Sequence, residues 1–146
     1  GELLTHNKDR SVLVFLDLKR LMETDFHPVT MDTTLGDVVR LISSVRRNIF
    51  PVVSRDGVLL GVVQLDDLRA DMFDPAKYDT KIDAYMIPPP DVVYPNEQMG
   101  SVLDAFEQSK AWMLPVIDSD RHYLGFISKS RILAAYRDQL VAISEE

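Results

Sequence analysis

The chain contains no cysteine, which excludes disulfide bonds and thiolate zinc sites and fits a reducing compartment. Positive charge is also scarce: 16 Lys and Arg stand against 23 Asp and Glu, for a net charge of −7. Because nucleic-acid phosphates are bound by basic surfaces, this balance argues against nucleic acid as a partner. No apolar run approaches the ~18 residues that a membrane-spanning helix requires.

Catalytic motifs are missing as well. The 146 residues contain no Gly-x-Ser-x-Gly, no Gly-rich loop followed by Lys-Ser or Lys-Thr, and no His-Glu-x-x-His. The three histidines lie far apart in the sequence, so we expect neither catalytic residues nor a metal site. The first residue is Gly rather than Met, and we expect the chain to be a segment of a longer polypeptide.

What the sequence does contain is an internal repeat. The stretch IFPVVSRDGVLLGVV at residues 49–63 matches MLPVIDSDRHYLGFI at residues 113–127, at a constant offset of 64 residues. Between residues 29–68 and 93–132, eight of the forty aligned positions are identical without a gap, and most other apolar positions exchange for apolar ones. The two stretches are therefore copies of one supersecondary unit.

Each copy has the pattern β-α-β-β-α. A short strand near residues 26–30, or 92–94 in the second copy, precedes a helix with an apolar stripe at i, i+3, i+4 and i+7. β-Branched residues around an Asp56-Gly57 turn predict a hairpin, and a second helix follows. The stripe consists of Leu35, Val38, Val39 and Ile42 in the first copy and of Met99, Val102, Leu103 and Phe106 in the second.

The repeat predicts the organisation of the whole chain. A unit of this size has little core of its own, so we expect an α+β fold in which two units pack about a pseudo-twofold axis, with paired clefts at their junction. The expected segments are a connector from an upstream, membrane region at residues 1–17, a first motif at 18–73, a linker at 74–81, a second motif at 82–140 and a tail at 141–146.

A tandem unit with apolar-Pro-Val-apolar segments, each followed by a form of Gly-x-x-[Ser/Thr]-x-x-Asp, resembles a pair of CBS (cystathionine-β-synthase) domains, the Bateman module. The stretches RRNIFPVV at residues 46–53 and LDDLRADMF at residues 65–73 resemble the cytoplasmic C-terminal region of bacterial ClC-type chloride channels. This resemblance implies a homodimeric regulatory module at the cytoplasmic face of the membrane. It implies AMP, ADP or ATP as regulatory ligand, no required cofactor, and a transmembrane channel domain of the same polypeptide as partner.

The resemblance also implies candidate ligand residues, because in such modules the ribose is held by the Asp of one copy while base and phosphates lie against the other. The first copy keeps Asp67 but has Gln64 at the hydroxyl position, whereas the second keeps Ser128 but has Arg131 at the Asp position. Two candidate clefts follow, of which we favour the first. The first comprises Gln64, Asp67, Tyr94, Trp112, Met113 and Leu114, and the second comprises Thr30, Arg47, Asn48, Phe50, Ser128, Lys129 and Arg131.

Ordinary structural roles would also account for several of these residues. A carboxylate such as Asp67 is favoured in a first helical turn by the helix dipole, and Arg131 could be an exposed cation. Trp112 beside a strand is typical of a core residue. At the level of the protein, the same pair could regulate a metal-ion transporter or a metabolic enzyme, or it could be a dimerisation scaffold that binds no ligand.

Overall fold

The computed structural model describes residues 16–144, and within this range the chain forms two compact units. The first unit combines residues 25–89 with 119–123, and the second unit combines residues 16–24, 90–118 and 124–144. Each unit therefore holds most of one repeat and a short segment from elsewhere in the chain. Most of the expected connector at residues 1–17 and the end of the expected tail lie outside the described residues.

The elements follow the order expected from the repeat, and the predicted α+β fold is confirmed. Strands β1 and β2 pair with each other, as do β3 and β4, and two 3-10 turns, Pro75–Lys77 and Ile82–Ala84, precede the second repeat. The strands are β1 (Ile49–Val53), β2 (Leu59–Gln64), β3 (Met113–Ile117) and β4 (Tyr123–Ser128). The helices are α1 (Leu18–Leu21), α2 (Leu35–Ile42), α3 (Leu65–Leu68), α4 (Met99–Ser109) and α5 (Lys129–Ser144).

The first strand predicted in each copy is reduced to a single parallel bridge. Val29 exchanges two backbone hydrogen bonds with β1, of 2.9 and 2.8 Å, and Val93 does the same with β3, at 3.0 and 2.9 Å. The next amide, that of Thr30 or Tyr94, donates to a side-chain oxygen three residues further on.

The turn of each hairpin contains a residue with a left-handed backbone. Gly57 has a φ of +87°, as expected for the Asp56-Gly57 turn. Its counterpart 64 residues later, Arg121, has a φ of 67° although it carries a side chain, which disfavours this conformation. The turn therefore keeps its shape in both copies, although only one of them has the glycine.

Each unit has its own apolar core. The predicted stripes on α2 and α4 face these cores, and Phe106 on α4 is fully buried where its counterpart Ile42 on α2 is half-buried. The core of the first unit consists of Val29, Leu35, Val38, Phe50, Val52, Val63, Leu68 and Ile82. The core of the second unit consists of Leu18, Val93, Met99, Val102, Leu103, Ala105, Phe106, Leu114, Val116, Ile127 and Ile132.

A second backbone segment pairs with the outer strand of each hairpin. In the first unit, Ile87 exchanges two hydrogen bonds of 2.9 Å with Val62. In the second unit, Glu23 exchanges bonds of 2.7 and 2.9 Å with Phe126. Ile87 follows Glu23 by 64 residues, and Phe126 follows Val62 by the same offset. The duplication therefore includes the segments that lead into each copy.

A glycine next to each of these bridges makes the close approach possible. A Cβ on Gly61 would lie 2.6 Å from Cγ of Met86, and a Cβ on Gly125 would lie 2.6 Å from the carbonyl oxygen of Glu23. Neither distance is compatible with a side chain. The glycine that opens each Gly-x-x-[Ser/Thr] pattern is therefore a steric requirement of the fold.

The expected linker at residues 74–81 packs against the start of α2. Thr34 and Asp37 form the reciprocal capping box at this end, and the amide of Leu35 donates to the carbonyl of Thr80 at 2.8 Å. Nearby, Asp71 accepts hydrogen bonds from the Tyr85 hydroxyl and the Lys77 ammonium, and the bond from Tyr85 is the main cause that lowers the pKa of Asp71. These contacts order the segment within the first unit.

Candidate functional site

Asp67, the expected ribose ligand, lies exposed in the single-turn helix α3. Its neighbour Asp66 accepts a hydrogen bond from Nε of Arg69 at 2.8 Å, so one carboxylate of the pair already has a cationic partner. Within the part of the chain that the structure describes, no hydrogen bond or ion pair engages the carboxylate of Asp67. Gln64, just before α3, is also exposed and forms no capping bond. Both side chains are accessible to a ligand.

Ser128 has a structural role in the second copy. Its hydroxyl accepts a hydrogen bond of 3.1 Å from the amide of Arg131 and so caps α5, which extends to residue 144. In the first copy Gln64 stands at this position without a capping bond, and α3 ends after four residues. The hydroxyl of the Gly-x-x-[Ser/Thr] pattern is thus a helix cap where it is present.

We expect Ser128→Ala to lower the free energy of unfolding by about 1 kcal/mol, the usual effect of removing a helix cap. The loss follows because the amide of Arg131 would lose the hydroxyl to which it donates at the start of α5. Urea unfolding followed by circular dichroism measures it. Ser130→Ala, an exposed hydroxyl two residues later, is the control and should change stability by less than about 0.5 kcal/mol. Equal effects of the two substitutions would contradict the capping role.

Arg131 occupies the position where the motif has Asp, and it is held by a carboxylate. Its Nη1 lies 3.4 Å from Oε1 of Glu23, and 49% of the Arg131 side chain is exposed against 14% of Glu23. Arg131 is therefore partly exposed, as expected for a surface cation, but its guanidinium is also paired with a carboxylate. An anion from solvent would have to compete with Glu23 for this arginine.

Trp112 is 66% exposed, so the expectation that it belongs to the core is wrong. Its carbonyl accepts a hydrogen bond of 3.0 Å from the amide of Lys129, and the ammonium of Lys129 lies 5.2 Å from the centroid of its ring. An exposed aromatic face beside a cation suits a base and its phosphates. Of the neighbouring candidates, Met113 is half-buried, and Leu114 is fully buried in the core.

Asn48 and Trp112 were predicted to belong to different clefts, but they occupy equivalent positions in the two copies. The carbonyl of Asn48 accepts a hydrogen bond of 2.8 Å from the amide of Leu65, as the carbonyl of Trp112 does from Lys129. The structure thus joins Trp112 of the first candidate cleft to Lys129 of the second, within the second unit. Asn48 is exposed, whereas Phe50 is buried in the core of the first unit.

Arg47 is oriented by two neighbours in the first unit. Its Nε and Nη2 donate to the two carboxylate oxygens of Asp25 at 3.0 and 2.6 Å, and its guanidinium lies 4.5 Å above the ring of Phe26. Burial raises the pKa of the nearby Tyr123, and the negative charge of Asp25 adds to that effect. A phosphate could bind Arg47 only in competition with Asp25.

Thr30 and Tyr94 line equivalent shallow grooves, each between the bridge segment and the long helix of its own unit. The groove at Thr30 has a volume of about 420 Å³ and that at Tyr94 about 640 Å³. The groove at Tyr94 is bordered by Asp91, Glu97 and Asp104, so we expect it to disfavour phosphate. Tyr94 is therefore better placed to contact an uncharged part of a ligand.

The ion pairs that hold Arg47 and Arg131 could not be predicted from the sequence. The duplication predicts which residues are equivalent, but position 87, the equivalent of Glu23, is an isoleucine. A charge pair present in one copy alone cannot be found from the offset.

Among the described residues, no helix combines the length and the apolar character needed to cross a membrane.

The chain can be compared with known proteins. It is 26% identical over 127 residues to homoserine O-acetyltransferase of Methanosarcina acetivorans, a match that covers 87% of this chain and only 23% of that protein. The structure of CbpB in complex with c-di-AMP has a TM-score of 0.77 at 16% identity, covering 94% of this chain and 95% of CbpB. The structure of CBSX2 in complex with AMP has a TM-score of 0.69 at 22% identity, covering 84% and 96%.

These two structures share the fold at low sequence identity. The CBS domain model matches the sequence twice, at residues 18–74 and 82–138, which is most of the chain and includes both copies of the repeat. The chain therefore belongs to the CBS domain family and carries two CBS domains in tandem.

Proposed function

We propose that this CBS pair is a regulatory module that binds an adenine nucleotide and catalyses no reaction. AMP and c-di-AMP are the ligands named for the two structures that share its fold, which supports this class of ligand. The observation that carries the proposal is the exposed carboxylate of Asp67, which no other described residue engages, beside an Asp66 that already binds Arg69. A carboxylate accepts hydrogen bonds from both hydroxyls of a ribose.

We propose further that the module forms a homodimer and regulates a ClC-type chloride channel, with the channel domain on the same polypeptide and the module at the cytoplasmic face of the membrane. The support is the resemblance of residues 46–53 and 65–73. None of the three relatives described above is named as a channel. A metal-ion transporter or a metabolic enzyme as the regulated partner remains the alternative.

Regulation would operate as a population shift, in which nucleotide binds one arrangement of the module better than another. The structure supports an output through the residues that precede the first repeat. Leu18 of α1 is buried in the core of the second unit, and Leu16 and Leu21 pack against that core. A change in the second unit would therefore move α1, whose Leu18 is part of its core.

The test of this function is calorimetric titration of the chain with AMP, ADP and ATP. We expect Asp67→Asn to weaken nucleotide binding by about 10- to 100-fold, because hydrogen bonds to a charged group contribute about 1.5–3 kcal/mol. Asp66→Asn is the matched control: it removes the same charge one residue away, from a carboxylate that faces Arg69, and should change the affinity little. Equal weakening by both would indicate a general charge effect.

Two further outcomes of this titration would change the proposal. If Arg131→Ala weakens binding more than Asp67→Ala, the main site lies in the second candidate cleft. If millimolar nucleotide gives neither heat nor a higher unfolding temperature, the sensor function is excluded and the dimerisation scaffold remains. The incomplete motifs of both copies are the feature that favours the scaffold.

A further inference from the structure

Residues 23–25, here called the acidic segment, contribute a carboxylate to each of two arginines. Glu23 pairs with Arg131 in the second unit, at 3.4 Å. Asp25 pairs with Arg47 in the first unit, at 2.6 Å for the shorter contact. Both arginines belong to the second candidate cleft. Two carboxylates within three consecutive residues thus engage two groups that were predicted to bind the ligand.

A carboxylate and a phosphate compete for the same donors on a guanidinium. Arginine presents its N–H groups as a planar fork, which fits either anion with two parallel hydrogen bonds, as Asp25 shows on Arg47. Each pair also has one partner open to solvent: 63% of the Asp25 side chain and 49% of the Arg131 side chain are exposed. The exposed partner leaves each pair open to competition from another anion in solvent.

The acidic segment is also connected to the fold through its backbone. The amide and carbonyl of Glu23 bond to Phe126, and Gly125 leaves room for that contact. Helix α1 ends two residues earlier and is anchored by the buried Leu18. Loss of the Glu23 side-chain contact would therefore loosen the segment directly after α1, where the chain passes from the second unit to the first.

We propose that the acidic segment is a built-in competitor for phosphate. Within its own unit, each carboxylate occupies one arginine while no anionic ligand is present, Glu23 on Arg131 and Asp25 on Arg47, and a phosphate group that binds that arginine displaces it. Phosphate binding at the arginines then changes the conformation of the acidic segment, which follows α1. This inference rests on the proposed function, in which nucleotide phosphates are the anions that compete.

Affinity for ATP tests the competition in the complete chain. Glu23→Gln and Asp25→Asn keep the size of each side chain and remove its charge, so each should tighten ATP binding by about two- to fivefold, the value of an exposed ion pair. Asp138→Asn, an exposed carboxylate on α5, controls for the change in net charge and should have little effect. Unchanged or weaker ATP binding in both test variants would overturn the inference.

A second measurement separates this inference from the nucleotide function. Inorganic tripolyphosphate should speed hydrogen exchange of the Glu23 and Phe126 amides, relative to sodium chloride at equal ionic strength. In Glu23→Gln these amides should already exchange faster and respond less. No response to tripolyphosphate in the unmodified chain overturns the competitor role even if ATP binds. A response to tripolyphosphate in a chain that binds no nucleotide excludes the proposed function and supports the competitor role.

Discussion

Gly125→Ala is expected to lower the free energy of unfolding by about 1–3 kcal/mol, the usual cost of overpacking. The new Cβ would lie 2.6 Å from the carbonyl oxygen of Glu23 and 3.0 Å from Cγ of Met22. A side chain such as Met22 can move, but the carbonyl belongs to the bridge with Phe126 and can move only if those hydrogen bonds lengthen. Urea unfolding of the variant and the unmodified chain measures the difference.

Gly100→Ala is the matched control for this substitution. Gly100 lies in α4, and a Cβ there meets no atom within 4 Å. Because alanine is the better helix former, this variant should gain about 0.5–1 kcal/mol. Gly61→Ala should resemble Gly125→Ala, since its Cβ would lie 2.8 Å from the carbonyl oxygen of Ile87. If Gly125→Ala were as stable as Gly100→Ala, the glycine would not be needed for the close approach.

The duplicated fold could be predicted because its signals are local. Alternating strands around a turn and an apolar stripe at helical spacing depend on neighbouring residues, and the offset of 64 then checks each prediction against a second copy. The stripe on α2 and the hairpin of β1 and β2 lie where expected. The lengths of α3 and α5 differ although the two helices are equivalent in the repeat, and Gln64 provides no cap where the second copy has Ser128.

The candidate site could be predicted only as a set of positions. Asp67, Trp112 and Lys129 are accessible, but burial removes the side chains of Leu114 and Phe50 from direct ligand contact. The acidic partners of the two arginines depend on which residues the fold brings together over long distances in the chain. No periodicity encodes such contacts, so the two arginines could be predicted as candidates but their carboxylate partners could not.

Phe106→Ala should destabilise the chain by about 3–5 kcal/mol, the range for removing a fully buried aromatic side chain. Phe106 is completely buried on α4, in the core that also contains Leu18 of α1 and Ile132 of α5. The substitution would leave a cavity in the core that α1 and α5 share with α4. We therefore expect both lower stability in urea and faster hydrogen exchange at the Glu23 amide.

Ile42→Ala, at the equivalent position of the first copy, is the control for this comparison. Ile42 is only half-buried at the edge of its core, so its loss should cost less than about 2 kcal/mol and should leave exchange at Glu23 unchanged. Equal losses at the two positions would show that the copies are equivalent in packing as well as in sequence. A larger loss at Phe106 would indicate that the core that contains Leu18 of α1 is the more deeply packed of the two.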